Sequence, residues 1–498
     1  MTVHDKHAQL LTFLHETRHC DAVNQLIDLD TWTKLPKKGQ DYRAKTSAYF
    51  QGKIAELWQS DQARKLASYF EDADLTPLSD AQKAGVRIFL EDFAKKTRVP
   101  LDMQVRYAGL VSTASVMWKQ AVKDADYGTL KPYLKQLFEM TRDMACLIFP
   151  GHHPHQSLVL MSEPGADTGV IDRLFHTLRE GLKPIHKWAL ENQPEVDDTA
   201  IHKQYDVPTM IKFQTFLASL LGYDLDAGAY AEILHPFSSS VGPHDMRFSS
   251  SNENLRHGIF SAMHEAGHAA YGQRSSGEAI QNVVWGGCSG SFHEGQAKFF
   301  ENILGRSAAF WDYAYPHLQR FFPEFESVSK RQFVLGINRI GRSPRRLMSD
   351  ELTYNLHPII RYELERELCD GTLSFDDLHT RWNEKYEELL GVTPKNDAEG
   401  ILQDMHWAGG LWGYFQNYTL GNLYDGQMWH CLKRDVPGCE DQMRAGDLSN
   451  ITTWLTENIH QHAQIYLPDV IIKRVSGEGL SAGYYLDYLK TKLEGLYA

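Results

Sequence analysis

The stretch SAMHEAGHAAYG, residues 261–272, contains the HExxH motif His264-Glu265-Ala266-Gly267-His268. On an α-helix, residues four apart project from the same side, so two imidazoles at this spacing can bind one metal ion. The glutamate after the first histidine points to the flank of the pair, where it can reach a water on the ion. The stretch therefore predicts a helix that carries part of a hydrolytic metal site.

A hydrolytic zinc site usually has three protein ligands and keeps a fourth position for water. The segment SFHEGQAKFFENILGRS, which begins at residue 291, has a helical pattern and contains Glu294 and Glu301. Glu294 is the predicted third ligand, and His293 is its rival. Glu301 is the alternative carboxylate, and it also suits a hydrogen bond to a neighbour or to a ligand histidine. We therefore predict a divalent ion on His264, His268 and Glu294, with Zn²⁺ favoured and Co²⁺ or Mn²⁺ compatible.

Glu265 is the predicted proton-transfer residue. A bound ion lowers the pKa of its water from about 15.7 to about 7 and polarises the substrate carbonyl. A carboxylate can take the proton from that water as a general base and then pass it to the leaving amine as a general acid. This combination predicts metal-dependent hydrolysis of peptides.

Most of the chain has the apolar spacing of three and four residues that is typical of helices, with no low-complexity linker and no internal repeat. We predict a mainly α fold in one catalytic unit over residues 1–498. Within it, a helical region covers about 1–230, and a metal-site and substrate region covers about 231–430. The segment HPFSSSVGPHDMRFSSS, at 235–251, has short alternating apolar positions and predicts either a β-hairpin before the HExxH helix or a solvated loop.

Composition limits the partners. The net charge of −13 argues against general binding to nucleic acid or to anionic membranes. The six cysteines are scattered, with no CxxC pair, which is typical of reduced thiols. The first residues lack the apolar core of a signal peptide, and no apolar run approaches the roughly 18 residues of a membrane span. These features predict a cytoplasmic protein.

Several separated sequence boxes resemble the carboxypeptidase Taq family of metallocarboxypeptidases. In chain order they are HPF at 235–237, DMRFS at 245–249 for DxRxT, HEAGH at 264–268, HEGQ at 293–296 for HESQ, RLMSD at 346–350 for RxxAD, GILQDMHW at 400–407 for GxxQDxHW and GYFQNYTLG at 413–421 for GYFxxYxLG. The departures are Ser249 for Thr, Gly295 for Ser and Ser349 for Ala. None of them affects the predicted metal ligands or Glu265.

The resemblance implies a large helical metallopeptidase fold with a deep central groove and a small β-hairpin beside the HExxH helix. It also implies a homodimer that releases single residues from the C-termini of peptides. A histidine and a tyrosine that stabilise the oxyanion are implied as well. His406 and Tyr418 are the candidates, and Tyr414 is the rival of Tyr418 and a predicted substrate contact.

A carboxypeptidase has to recognise the free carboxylate at the end of its substrate, and arginine does so through a charge-assisted fork. Arg346 is the first candidate and Arg247 the second. The alternative for each is a structural ion pair, with Asp350 and Asp245 as the local partners.

Two other functions compete with the carboxypeptidase. One is an oligopeptidase or peptidyl-dipeptidase that uses the same metal chemistry. The other is a catalytically silent peptide-binding protein, which the intact HExxH motif argues against.

Overall fold

The computed structural model describes residues 2–231 and 236–498. Within them the chain is predominantly helical, and its strands form a single two-stranded antiparallel sheet. The predicted mainly α fold is therefore confirmed.

Nine α-helices precede the sheet in the described residues. They are α1 (Val3–Thr33), α2 (Gln40–Trp58), α3 (Asp61–Asp72), α4 (Asp80–Thr97), α5 (Leu101–Asp124), α6 (Tyr127–Ile148), α7 (Pro154–Leu160), α8 (Thr168–Asn192) and α9 (Val207–Leu220). Helix α3 illustrates how the sequence determines where a helix begins and which of its faces is buried. The Ser60 side chain accepts a hydrogen bond from the backbone N–H of Ala63 at 3.1 Å and so caps its first turn. Leu66 and Phe70, one turn apart, are buried on its inner face.

The predicted hairpin is confirmed and lies beside the HExxH helix. Strand β1 (Phe237–Gly242) pairs with β2 (Asp245–Ser249), with Phe237 opposite Ser249 and an irregularity between Ser240 and Gly242. On β2, Phe248 is fully buried. His235, the first residue of the HPF box, lies outside the described residues.

Twelve α-helices follow the hairpin in the described residues. They are α10 (Leu255–Gln273), α11 (Gly277–Gln281), α12 (Gly290–Lys298), α13 (Ala308–Phe321), α14 (Lys330–Ile337), α15 (Leu356–Cys369), α16 (Leu378–Leu390), α17 (Gln416–Asp435), α18 (Cys439–Arg444), α19 (Ser449–Asn458), α20 (Pro468–Ser476) and α21 (Ala482–Tyr497). A π-helical turn, Phe299–Leu304, continues α12 directly. Helix α15 ends where an Asp-Gly pair predicts a stop, and Gly371 takes a φ of 71° there.

The two largest apolar clusters in the described residues hold most of these helices together. The large core runs from α5 to α21 and includes Phe260 and Phe292 on the two helices that carry the metal motif. A smaller core joins α1 to α4 around Phe13, Trp58 and Phe89. The single catalytic unit and its two regions stay a prediction.

None of the helices in the described residues is both long and apolar enough to cross a membrane. The cytoplasmic location and the homodimer stay predictions.

Candidate metal centre

The HExxH motif occupies the middle of α10. The helix begins after Asn254, whose side chain accepts a hydrogen bond from the backbone N–H of His257 at 2.9 Å. His264 and His268 lie one turn apart, with ring centroids 4.9 Å apart and ring planes at 89°. Because the residues around them on α10 are mostly buried, a packed helix and not a loop fixes the spacing of the two rings.

Helix α12 crosses α10 at very close range and brings Glu294 to the histidines. Gly267, inside the motif, permits this approach. A Cβ atom at that position would lie 2.7 Å from the backbone oxygen of Gln296 and 2.8 Å from Cα of Ala297. Any side chain at position 267 would therefore clash with the backbone of α12, the helix that carries the third candidate ligand, Glu294.

The three candidate ligand atoms are spaced to share one ion. Oε1 of Glu294 lies 3.7 Å from Nε2 of His264, and Oε2 lies 3.8 Å from Nε2 of His268. These distances are too long for hydrogen bonds. They match neighbouring ligands on one ion, which are roughly 3.4–3.8 Å apart when each bond is about 2.1 Å long. One ligand atom from each residue lies within 4.8 Å of the others, so the residues present fit a divalent metal ion.

The other nitrogen of each imidazole has its own partner. Nδ1 of His264 is 3.0 Å from Oε2 of Glu301, and Nδ1 of His268 is 3.2 Å from Nδ1 of His293. The structure thus places both rival ligands, Glu301 and His293, behind the imidazoles, on the side away from Glu294. Such contacts set the tautomer and orientation of ligand histidines.

Glu301 lies in the π-helical turn after α12 and is buried among positive charges. Its carboxylate accepts hydrogen bonds from Lys298 at 2.8 Å and from Arg306 at 3.3 Å. Burial alone would raise the pKa of Glu301, but Lys298 and His264 hold it well below its usual range. The side chain behind His264 is therefore a carboxylate anion at neutral pH.

Glu265 is buried on the flank of the histidine pair, with 9% of its surface exposed. Burial raises its pKa to about 7, against the opposing effect of His264. The Ser238 side chain, on β1, also lowers this pKa. Strand β1 of the hairpin thus lies beside the predicted general base.

A cavity of about 1470 Å³ opens in front of these residues. This volume exceeds the roughly 300–1,000 Å³ of sites for small ligands, so a peptide segment fits. Of the other predicted site residues, Arg346, Tyr414 and Tyr418 also line it.

His406 stands behind Tyr418 and does not itself line the cavity. Its Nε2 atom is 2.9 Å from the Tyr418 hydroxyl, and its Nδ1 atom is buried without a partner among the described residues. Burial and then the charge of Arg346 lower the pKa of His406 to about 4, so the ring is neutral near pH 7. The pair presents one phenolic hydroxyl to the cavity.

Arg346 belongs to a buried charge cluster. Its Nε and Nη2 atoms donate to Oδ1 of Asp404 at 3.1 and 2.8 Å, and its Nη1 atom donates to the Tyr354 hydroxyl at 2.9 Å. Arg361 donates from Nε to the other oxygen of Asp404 at 2.8 Å. Two guanidinium groups share one carboxylate, so the cluster keeps a net positive charge.

The two arginine candidates differ in their partners. The local partner expected for Arg346 was Asp350, but that carboxylate instead accepts hydrogen bonds from the backbone N–H groups of Leu352 and Thr353, both at 2.9 Å. Arg247 does pair with its expected partner. It forms a two-pronged contact with Asp245 at 2.7 and 2.8 Å, and it does not line the cavity.

Sequence reasoning missed three charged residues of the site. Asp404 was quoted inside a motif without a role, and its two arginine partners lie 58 and 43 positions away in the chain. Lys298 follows Glu294 by one helical turn, a spacing that could have revealed it. Arg256 precedes His264 by two turns on the same face of α10, and the same periodicity applies to it.

A helical fold that brings two HExxH histidines and a glutamate to the wall of a peptide-sized cavity defines a metallopeptidase. Comparison with known proteins gives the family. The chain belongs to the carboxypeptidase Taq (M32) metallopeptidase family, whose model matches residues 9–493. The predicted resemblance and the class of enzyme, a peptide hydrolase of the metallocarboxypeptidase type, are confirmed.

Individual relatives agree over the full length of the chain. It is 33% identical to carboxypeptidase 1 of Bacillus subtilis and 34% identical to thermostable carboxypeptidase 1 of Thermus thermophilus, with 100% of both chains covered in each case. The fold is similar to the crystal structure of the M32 carboxypeptidase from Deinococcus radiodurans R1. The TM-score is 0.93 and the identity 30%, over 99% of each chain.

Proposed function

We propose that this carboxypeptidase removes single residues from the C-terminus of peptides and that His264, His268 and Glu294 hold the ion it requires. One observation carries the proposal. The three ligand atoms, spaced for one ion, line the same peptide-sized cavity as Arg346, a guanidinium whose cluster keeps a positive charge. The cavity thus offers a hydrolytic centre and a carboxylate anchor together.

Two imidazole nitrogens and a carboxylate suit Zn²⁺, and Co²⁺ or Mn²⁺ can use the same donors. When bound, the ion supplies Lewis acidity, which lowers the pKa of a water and polarises the scissile carbonyl. Glu301 and His293 orient the two imidazoles through their Nδ1 atoms, so that both Nε2 atoms face Glu294.

Glu265 moves the proton. A carboxylate oxygen of Glu265 takes it from the attacking water, and the same carboxyl later gives it to the nitrogen of the leaving amine. A carboxyl whose pKa burial has raised to about 7 can both accept and return a proton near neutral pH. Ser238, on β1, lowers the pKa of Glu265 and so favours its carboxylate form, which accepts the proton.

Tyr418 donates a hydrogen bond from its hydroxyl to the oxyanion that develops on the scissile carbonyl, and keeps its proton. For this the hydroxyl proton has to point into the cavity, so His406 carries its own proton on Nε2 and donates to the oxygen of Tyr418 across the 2.9 Å contact. The Nδ1 atom of that tautomer bears no hydrogen, which agrees with its lack of a partner among the described residues. His406 positions Tyr418, and Tyr414 is a neighbouring substrate contact.

Arg346 anchors the C-terminal carboxylate of the peptide. A guanidinium has five N–H donors, and Arg346 uses three of them on Asp404 and Tyr354. The remaining donors, one on each terminal nitrogen, suit the two oxygens of a carboxylate. Arg247 is the second candidate, but the fork of its guanidinium is already filled by Asp245.

Mass spectrometry of a peptide with a blocked N-terminus tests the proposal. The peptide is incubated with the enzyme, with and without chelator, and again after Zn²⁺, Co²⁺ or Mn²⁺ is restored. A Glu265→Gln variant, which keeps the metal ligands, serves as the inactive control.

A ladder that loses one C-terminal residue at a time, stops with chelator and is absent in the variant would support the proposal. Loss of dipeptides or internal cuts would favour the oligopeptidase or peptidyl-dipeptidase alternative and would remove Arg346 as the anchor. A Glu265→Gln variant as fast as the parent would refute the assigned proton transfer.

A further inference from the structure

Arg256 is a second guanidinium in the wall of the main cavity. It is the second residue of α10, it is half-buried, and it lines the cavity together with the metal-site residues. Across residues 2–231 and 236–498 it forms no ion pair, and its Nε atom is buried without a hydrogen-bond partner. A guanidinium that is partly withdrawn from water and has no anionic partner in the described residues is a candidate for binding an anionic ligand in the substrate cavity.

The other buried cations of the cavity each have a carboxylate partner within the chain. Lys298 and Arg306 both donate to Glu301. Arg346 donates to Asp404. Arg256 therefore differs from them in having no carboxylate partner among the described residues.

The carboxylates nearest to Arg256 are already engaged. Burial and then the charge of Arg306 lower the pKa of Arg256 to about 10, and Asp350, Glu301 and Asp198 oppose the shift without pairing with it. Asp350 accepts from the backbone and from Thr353, Glu301 from Lys298, and Asp198 from Arg339. The charge of Arg256 is retained at neutral pH and is left for an external anion.

The distance of Arg256 from the metal centre suits a contact with the C-terminal residue of the peptide, which is the residue that the enzyme releases. Arg256 and His264 are eight residues apart on one face of α10, which is about 12 Å along the helix axis. Met348, which follows Arg346 by two residues, lines the main cavity with Arg256 and also shares an adjoining groove with it. The segment that carries the proposed anchor thus borders the same end of the cavity as Arg256.

We propose that Arg256 binds the side-chain carboxylate of an acidic C-terminal residue, so that the enzyme prefers peptides that end in glutamate or aspartate. The assignment rests on the proposed function, because Arg346 holds the α-carboxylate of the same residue. The two arginines then read the two carboxylates of one acidic residue, and a neutral C-terminal residue uses Arg346 alone.

The test compares kcat/KM for two N-blocked peptides that differ only in ending with Glu or Gln. The parent is compared with Arg256→Gln, which removes the charge, and with Arg256→Lys, which keeps it. Arg331→Gln, an exposed arginine that lines none of the cavities described above, is the matched control for net charge. Thermal unfolding of each variant monitors the fold.

A charge-assisted hydrogen bond corresponds to a factor of about ten or more. The parent and Arg331→Gln are therefore expected to favour the Glu peptide about tenfold. Arg256→Gln should lose this preference through a fall of about tenfold in kcat/KM for the Glu peptide and a much smaller change for the Gln peptide, and Arg256→Lys should keep part of the preference. An unchanged preference in Arg256→Gln, or equal losses with both peptides, would overturn the proposal.

A binding measurement separates this proposal from the proposed function. Calorimetry of the same two peptides uses the Glu265→Gln variant, with and without Arg256→Gln, loaded with Zn²⁺. If the parent cuts the peptides other than one residue at a time, the proposed function fails. The role of Arg256 in binding an acidic side chain then stands if its removal abolishes the selectivity for the Glu peptide, and fails if it does not.

Discussion

Replacing Asp404 with asparagine removes the negative charge that Arg346 and Arg361 share while keeping the shape of the side chain. The carboxylate is 7% exposed and accepts hydrogen bonds from the two guanidinium groups at 2.8 to 3.1 Å. Water cannot take its place there, so both cations would stay buried with only one amide oxygen between them. The protein should therefore become less stable, and the side chain of Arg346 should be held less firmly in place.

The magnitude follows from the burial. Removing one partner of a buried charge pair costs about 3–5 kcal/mol, and the retained amide oxygen places Asp404→Asn at the lower end, about 3 kcal/mol. The entropy of unfolding of a chain of 498 residues is about 1 kcal/mol/K, so the Tm should fall by about 3 °C. The KM for peptides should rise as well, because Arg346 loses the contact that fixes its guanidinium.

The pH dependence of this stabilisation has a definite sign. Burial alone would raise the pKa of Asp404, but Arg346 and then Arg361 hold it well below its usual range. Stabilisation by a carboxyl with a lowered pKa is complete above its pKa in the unfolded chain, about 3.9, and is lost as the pH falls through the lower, folded value. The difference in Tm between parent and variant should therefore be constant between about pH 6 and 8.

Asp312 provides a matched control, because its carboxylate also bridges two cations, Lys330 and Arg444, but at the surface. Solvent replaces such contacts, so Asp312→Asn should cost at most about 1 kcal/mol and shift the Tm by less than about 1 °C. Differential scanning calorimetry of the parent and both variants measures the contrast. Equal shifts for the two variants, or an unchanged Tm for Asp404→Asn, would refute the reasoning.

Three further variants probe the metal centre. Glu301→Gln should weaken Zn²⁺ binding by about 10–100-fold, because it removes the anion that contacts Nδ1 of His264. Competition with a chromophoric chelator measures the affinity for Zn²⁺. An unchanged affinity would contradict the role of Glu301 in orienting His264. Tyr418→Phe should lower kcat by about 100-fold with little change in KM, as steady-state kinetics can measure. A rise in KM alone would contradict the role of Tyr418 in stabilising the oxyanion. Gly267→Ala should lower both the bound zinc, measured by atomic absorption, and the Tm, since its Cβ would lie 2.7 Å from backbone. Gly52→Ala, in open space, should lower neither.

Helical periodicity along the chain was enough to predict the fold class, and α3 and α6 each bury one face as that periodicity requires. The alternating apolar positions at 235–251 left a hairpin and a solvated loop open, and the family resemblance implied the hairpin that β1 and β2 form. The π-helical turn after α12 left no such signal. It arises where the chain is packed on all sides, which periodicity along one segment does not register.

The candidate metal centre was predictable because its parts are close in sequence or fixed by helix geometry. The HExxH spacing sets His264 and His268, and Glu294 follows on the next long helix. The sequence analysis named Gly267 only as part of the motif, and its structural role is evident only from the close contact with α12. That contact joins two segments whose approach the sequence does not specify.

The sequence predicted the local pair of Arg247 with Asp245, but it could not predict charge pairs between residues far apart in the chain. Sequence reasoning looks for partners within a few residues, so Asp350 was expected beside Arg346, whereas the fold brings Asp404 there from 58 residues away. Arg256 belongs to no motif, and its lack of a partner appears only when the surroundings of its side chain are known. Which charged residues meet over long distances in the chain depends on how the helices pack, and a single sequence does not specify that packing.

The central claim is that His264, His268 and Glu294 hold the ion, with Glu301 and His293 behind them. The most direct measurement is anomalous X-ray scattering at the zinc edge from crystals of the zinc-loaded enzyme. The account predicts one peak within about 2.0–2.2 Å of Nε2 of each histidine and of a carboxylate oxygen of Glu294. A peak on His293 or Glu301, or no peak between the three residues, would contradict it.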